Sequence, residues 1–237
     1  MSEPKDLFPE CVKGVIFDLD DTLVHSTVDY ARFKRRIIER IALEGDDPSV
    51  YDPEEGIMQL IGKFRQRMMG SGRTSSEVDD LLDDFDEIMD DVEMERVKET
   101  KSVPGARELL QMLRDRGLKI GVLTRGCEMY ATKALELTDM LRLVDHIECR
   151  NSDVPPKPSP ESYRRLVKRL GLAPEETLFV GDHHLDAMCA RKTGVRFVGV
   201  RTGDLTEQEL REAGGVEVFD SVADMIPWLS GLLRTSD

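Results

Sequence analysis

VIFDLDDTL, residues 15–23, sets a short apolar run directly against three carboxylates and a threonine. Val15, Ile16 and Phe17 read as a fully buried strand. A buried strand that releases Asp18, Asp20, Asp21 and Thr22 at its carboxyl end places charge where open α/β sheets bind ligands. Residues two apart in an extended chain point the same way, so the Asp18 and Asp20 carboxylates could share one site. Two acids that close repel and raise one another's pKa unless a cation holds them; oxygen ligands favour Mg²⁺. Taken alone, the fragment also reads as a polar turn at a strand end.

Three later segments supply what phosphoryl transfer needs besides acids, each after another predicted strand. KIGVL, residues 119–123, delivers Thr124, whose hydroxyl can donate to a phosphoryl oxygen. Arg125, Gly126 and Cys127 then open the next helix, where free backbone N–H groups favour an anion. VPPKPSP, residues 154–160, holds Lys157 between prolines that stiffen the loop, which suits one cation fixed against a phosphate. Leu178, Phe179 and Val180 lead into GDHHLDA, residues 181–187, and so put Asp182 and Asp186 at a further strand end.

In this order the four pieces resemble the haloacid dehalogenase-like (HAD) hydrolase superfamily. DLDDTL is similar to its DxDxT first motif, Thr124 to its second-motif hydroxyl, Lys157 in KPSP to its third-motif lysine, and GDHHLD to its GDxxxD acidic motif. The likeness spans residues 18–186. It has two departures: the family more often carries Gly where Asp21 stands and Ser or Thr where His183 stands.

The resemblance implies that Asp18 is a nucleophile forming an aspartyl phosphate and that Asp20 is the acid and base of the two half-reactions. Thr124 and Lys157, with Arg125 and Gly126, would bind the phosphoryl oxygens. Asp18 and Asp182 would be metal carboxylates, with the Asp20 backbone carbonyl joining them. Asp186 would support the site by orienting Lys157 or a water on the metal, or would simply cap or pair locally. The implied activity is a Mg²⁺-dependent phosphatase for a small phosphate monoester, similar to phosphoglycolate phosphatases. A phosphomutase of the β-phosphoglucomutase kind shares every motif. From another class, a phospho-accepting receiver module uses similar residues but is shorter and takes phosphate on a later strand; a non-catalytic binding relative would not require a nucleophile.

Composition fits this reading. The 237 residues allow one large domain or a core with an insertion, and 40% of them are hydrophobic, enough for a core. No apolar stretch approaches bilayer-crossing length and no leader precedes the first strand, so a cytoplasmic protein is expected. Cys11, Cys127, Cys149 and Cys189 show no CxxC spacing. A net charge of −14 repels nucleic acid and anionic membranes, leaving a small phosphorylated metabolite as the expected partner, captured locally.

The pattern along the chain predicts a Rossmann-like, doubly wound parallel α/β sheet over residues 1–25 and 102–237, interrupted by helices over 26–101. Helical spacing runs over residues 29–43, again from Pro53, and again after Ser75, where one face is dense in acids that read as solvated surface. Helices at 106–116, 160–170, 185–191, 209–213 and 222–233 then alternate with strands at 119–123, 144–149, 178–180, 196–200 and 216–219. A helical insertion at this place resembles the C1 cap of the superfamily, a lid that would exclude water and read the substrate. The polar break at residues 70–76, containing Arg73, is either a segment reaching the site or an ordinary helix connection. His25 is a hinge-packing or substrate-touching candidate, and the His183–His184 pair a local, substrate or zinc contact. Cys127 is read as a small packed residue and Trp228 as core or surface cover.

Overall fold

The computed structural model describes residues 12–232; Cys11 and the expected helix end at Leu233 lie outside them. The chain divides into two compact units, Met1–Ser26 with Lys98–Asp237, and Thr27–Val97.

The unit Thr27–Val97 contains helices α1 (Tyr30–Leu43), α2 (Ile57–Gly70) and α3 (Ser75–Glu95). Their apolar stripes meet: Phe33, Ile37 and Ile41 pack with Leu60 and Phe64 and with Val78, Phe85 and Val92. Asp29 caps α1 by accepting the Arg32 N–H at 2.8 Å. Thr74 and Glu77 form a capping box at the start of α3. The helix expected from Pro53 begins only at Ile57, because Asp52 accepts the Glu54 N–H and holds that stretch in a turn, with Gly56 as the extended N-cap. Part of the acidic face of α3 is paired within the unit, Asp79 to Arg65, Asp84 to Arg40 and Asp91 to Arg36, contacts of small net worth at the surface. Arg73 pairs with Glu44 at 3.0 Å.

The other unit is built on strands β1 (Gly14–Phe17), β2 (Val24–His25), β3 (Lys101–Ser102), β4 (Lys119–Leu123), β5 (His146–Glu148), β6 (Thr177–Gly181), β7 (Arg196–Val200) and β8 (Gly215–Phe219). Among the described residues, six of them form one sheet in the order β5-β4-β1-β6-β7-β8, and every pairing is parallel. Helices α4 (Ala106–Asp115), α5 (Glu128–Leu137), α6 (Pro160–Arg169), α7 (His184–Thr193), α8 (Glu207–Ala213) and α9 (Val222–Leu232) complete a doubly wound α/β fold. Ile16, Phe179 and Phe197 face Tyr163 and Leu166 of α6. Val15, Phe17, Leu178 and Val180 point the opposite way and are equally buried. Both faces are therefore covered, which is why these strands read as continuous apolar runs.

From β1 the chain runs outward through β4 and β5 on one side, then returns to β6, β7 and β8 on the other. Strand order thus reverses at β1, the place where open α/β sheets form a ligand crevice. Phe17 pairs with Val122 and with Val180, so Asp18 leaves the sheet one residue below the levels of Thr124 and Asp182. The strand expected at 144–149 shortens to β5, because Leu141–Leu143 is a 3-10 turn and the Asp145 carboxylate accepts the Ile120 N–H at 2.8 Å. The antiparallel pair β2–β3 joins the two chain crossings between units and was too short to give a periodic signal. Among the described residues, no helix is long and apolar enough to cross a membrane.

Candidate active site

Three loops deliver buried charge to one place. Asp18 follows β1, its N–H held by the Val180 carbonyl at 2.8 Å, and one carboxylate oxygen accepts the Leu19 N–H at 2.6 Å. Lys157, from the proline-rich loop before α6, pairs through Nζ with Asp18 Oδ1 and reaches Asp186 Oδ1 at 2.7 Å. Asp182, after β6, accepts the Thr22 hydroxyl at 2.9 Å. Asp18, Lys157, Asp182 and Asp186 are all buried.

Asp18, Asp182 and Asp186 each offer an oxygen within 4.8 Å of the others'. One ammonium faces three carboxylates, so the group carries excess negative charge in a place with little water. Burial, followed by the Asp186 charge, pushes the Asp18 carboxyl up to about 7 against the pull of Lys157. Burial, with Asp18 and Asp186 adding to it, pushes Asp182 to about 9. Burial alone would lower the Lys157 ammonium, but its two acidic neighbours outweigh that and raise it. An all-oxygen donor set with unbalanced negative charge fits a hard divalent cation.

Asp20 is partly buried, and the Tyr130 hydroxyl of α5 donates to its Oδ1 at 2.6 Å. Burial lifts its carboxyl to about 7, with the Tyr130 hydrogen bond pulling back. Thr124 is buried at the end of β4 and its hydroxyl oxygen accepts the Gly126 N–H at 2.9 Å, which leaves its proton to donate elsewhere. Arg125 Nη1 donates to the Lys157 carbonyl at 2.5 Å, tying the second and third motif loops together. Cys127 is the N-cap of α5, its sulfur accepting the Tyr130 N–H at 3.4 Å, so its place is structural.

Both sequence departures have local physical explanations. Asp21 has φ 54, the left-handed conformation that glycine adopts freely and Asp tolerates better than most residues. Its carboxylate accepts the Ser26 N–H at 3.0 Å and its carbonyl accepts the Thr202 hydroxyl. His183 is the N-cap of α7: Nδ1 accepts the Leu185 N–H at 3.3 Å, the task a Ser or Thr oxygen performs at such a position. Asp186 completes the capping box by accepting the His183 N–H at 3.1 Å while it also holds Lys157, so local capping and lysine orientation coexist in one carboxylate. His184 is exposed and its ring lies 3.9 Å from that of His183. Among the described residues, no group with metal-ligand geometry contains a histidine, so the zinc reading has no support. His25 is exposed in β2, paired with Lys101. Trp228 packs on Phe219 with ring centroids 5.0 Å apart.

Sequence reasoning passed over Tyr130 and Gly203. Tyr130 stands 110 residues from its acceptor and gives no signal beyond a polar tip on a buried helix face. Gly203 is cramped: a Cβ there would overlap the Asp182 carboxylate and lie 2.9 Å from its Cγ.

The chain is 29% identical over 234 residues to a phosphoglycolate phosphatase of Pseudomonas putida, covering 96% of this chain and 84% of the relative. It is 26% identical over 227 residues to the pyrophosphatase PpaX of Bacillus cereus, covering 94% and 99% of the two. The solved structure of a hydrolase from Pseudomonas syringae superposes with a TM-score of 0.64 at 24% identity, over 92% of this chain and 98% of the other, a likeness of fold. The model of the haloacid dehalogenase-like hydrolase family matches residues 15–200, from the first residues of β1 to the end of β7, and the chain belongs to that family.

Proposed function

We propose that this protein is a Mg²⁺-dependent phosphatase that hydrolyses a small phosphorylated metabolite through an aspartyl phosphate on Asp18. The observation that carries the reading is the buried meeting of Asp18, Lys157, Asp182 and Asp186 from three separate loops at the strand-order reversal. The two curated relatives, a phosphoglycolate phosphatase and a pyrophosphatase, favour a phosphate substrate of small size.

Asp18 and Asp182 would hold the cation through carboxylates and Asp20 through its backbone carbonyl, with Asp186 supporting. The cation supplies charge neutralisation, so that an anionic nucleophile and an anionic phosphate can approach. Lys157 counters the remaining charge and, with the Thr124 hydroxyl and the Arg125–Gly126 backbone, binds phosphoryl oxygens. An Asp18 oxygen attacks phosphorus while the ester P–O bond breaks, and Asp20 gives its proton to the departing oxygen. Water then attacks the phosphorus, its proton passes to Asp20, and the bond from phosphorus to Asp18 breaks. A carboxyl raised to about 7 suits Asp20 to both directions of proton transfer near neutral pH. The helical unit Thr27–Val97 would take the part of a C1 cap, which its place in the chain resembles.

The test is hydrolysis of p-nitrophenyl phosphate. Turnover is expected with Mg²⁺, loss of it with EDTA, and at least a thousand-fold loss in a folded Asp18→Asn variant. Wild-type rates in that variant would falsify the assignment of the nucleophile.

A further inference from the structure

We propose that Tyr130 is a positioning residue for the acid–base carboxyl of Asp20, an inference that rests on the phosphatase reading above. The Asp20 carboxyl lies just past the end of β1, where the chain turns back through Asp21 in a left-handed conformation and Asp20 bridges to Val24. Proton delivery to a leaving oxygen demands a fixed carboxyl, because general acid catalysis fails when donor and acceptor leave hydrogen-bond reach. The Tyr130 hydroxyl provides that fixation on Oδ1 at 2.6 Å, from a side chain that is wholly buried.

Two features place the ring. A Cβ at Gly126 would come 2.8 Å from Tyr130 Cδ1 and 3.4 Å from the Thr124 hydroxyl oxygen, so glycine lets the aromatic ring lie against the very loop that carries Thr124. Cys127 caps α5 through the Tyr130 N–H, which fixes the backbone from which the ring extends. The loop that presents Thr124 to the phosphoryl group thus also sets the ring that holds Asp20. A purely packing role leaves the choice of acceptor unexplained: the other fully buried tyrosine with a hydroxyl contact, Tyr163, ends on Thr177 Oγ1 at 2.7 Å, away from the acidic cluster. Ser26 also hydrogen-bonds the Asp20 carboxyl, with a smaller effect than Tyr130, so the phenol is the stronger of the two side-chain contacts that hold it.

The experiment compares kcat/KM of wild type and Tyr130→Phe for p-nitrophenyl phosphate and for phenyl phosphate, with Mg²⁺ saturating. A nitrophenolate departs with little help, whereas a phenolate needs its proton from Asp20. Tyr130→Phe is expected to lower kcat/KM for phenyl phosphate by roughly ten- to a hundred-fold and for p-nitrophenyl phosphate by only a few-fold, as loss of a hydrogen bond to a charged group allows. In an Asp20→Asn background the same change should have no further effect on either ester, since the group being positioned no longer carries the proton. Equal losses for the two esters, or an unchanged loss in the Asp20→Asn background, would overturn the proposal and leave the phosphatase reading intact. No turnover by wild type on either ester would instead sink that reading, and this inference with it.

Discussion

Replacing Lys157 by Met removes the ammonium that stands against three buried carboxylates while keeping an apolar side chain of similar reach. At pH 8, without metal, Asp18 is largely ionised, since its carboxyl titrates near 7. An ammonium and a carboxylate oxygen 2.7 Å apart, as Lys157 and Asp186 are, attract by about 6 kcal/mol at an effective dielectric of about 20 before desolvation is subtracted. Breaking a buried pair by deleting one partner costs about 3–5 kcal/mol, less than the bare Coulomb figure because desolvation opposes it. At pH 5.5 both Asp18 and Asp182 hold protons in the folded protein, because burial raises them to about 7 and about 9. With Asp18 neutral, its contact with the lysine is a hydrogen bond worth about 1–2 kcal/mol, while the Lys157–Asp186 contact is lost in the variant at both pH values. The difference in destabilisation between the two pH values should be about 2–3 kcal/mol, read by urea unfolding with EDTA present. The wild type carries its own trend of matching sign. Its carboxyls bind protons that the unfolded chain releases near pH 4, so their contribution is complete below about pH 4 and is lost as pH rises through 7 to 9. A Lys157→Met cost that is the same at both pH values, or greater at pH 5.5, would refute the electrostatic account of this cluster.

Two further substitutions probe the backbone around the acids. Gly203→Ala should drive the Asp182 carboxylate from its place and weaken Mg²⁺ binding by about ten-fold or more, as loss of one well-placed supporting contact does in metal sites, with little change in far-UV circular dichroism; calorimetric titration giving wild-type affinity would show that Asp182 is not held by this close approach. Asp21→Ala should destabilise the protein by about 1 kcal/mol more than Asp21→Gly, because φ 54 strains an alanine and not a glycine, and equal midpoints for the pair in urea would contradict that.

The sheet and its acid tips were legible because the physics is local. A strand buried on both faces must be apolar throughout, and Val15–Phe17 and Leu178–Val180 are; the first polar residue after each then marks the strand end. The same logic brought Thr124 to the end of β4. Lys157 was legible as a stiffly held cation, although its two acidic partners, just after β1 and on α7, depend on sheet order rather than on spacing. What sequence could not reach were contacts set only by packing. Tyr130 meets Asp20 because β4 lies beside β1 and Gly126 leaves room for the ring, and neither fact has a periodic signature. Residues 53–56 misled for a related reason: proline opens helices, but here Asp52 captures the following N–H and a turn wins over the first helical turn.

Sheet order also explains why the Asp18 and Asp182 carboxyls are pushed so far up. Asp18 leaves a strand flanked on both sides, so its neighbours at the strand ends are backbone and side chains rather than water. Had the first motif been carried by an edge strand such as β5 or β8, the same acids would be hydrated on one side and would titrate near their ordinary values. They would then repel less and would hold a cation less firmly, because much of the drive to bind it is relief of that repulsion. The central position thus makes the metal-free cluster costly and the charge-compensated cluster favourable. With all three carboxyls ionised, one ammonium would not balance them, and a divalent ion, where one binds, would offset the remainder.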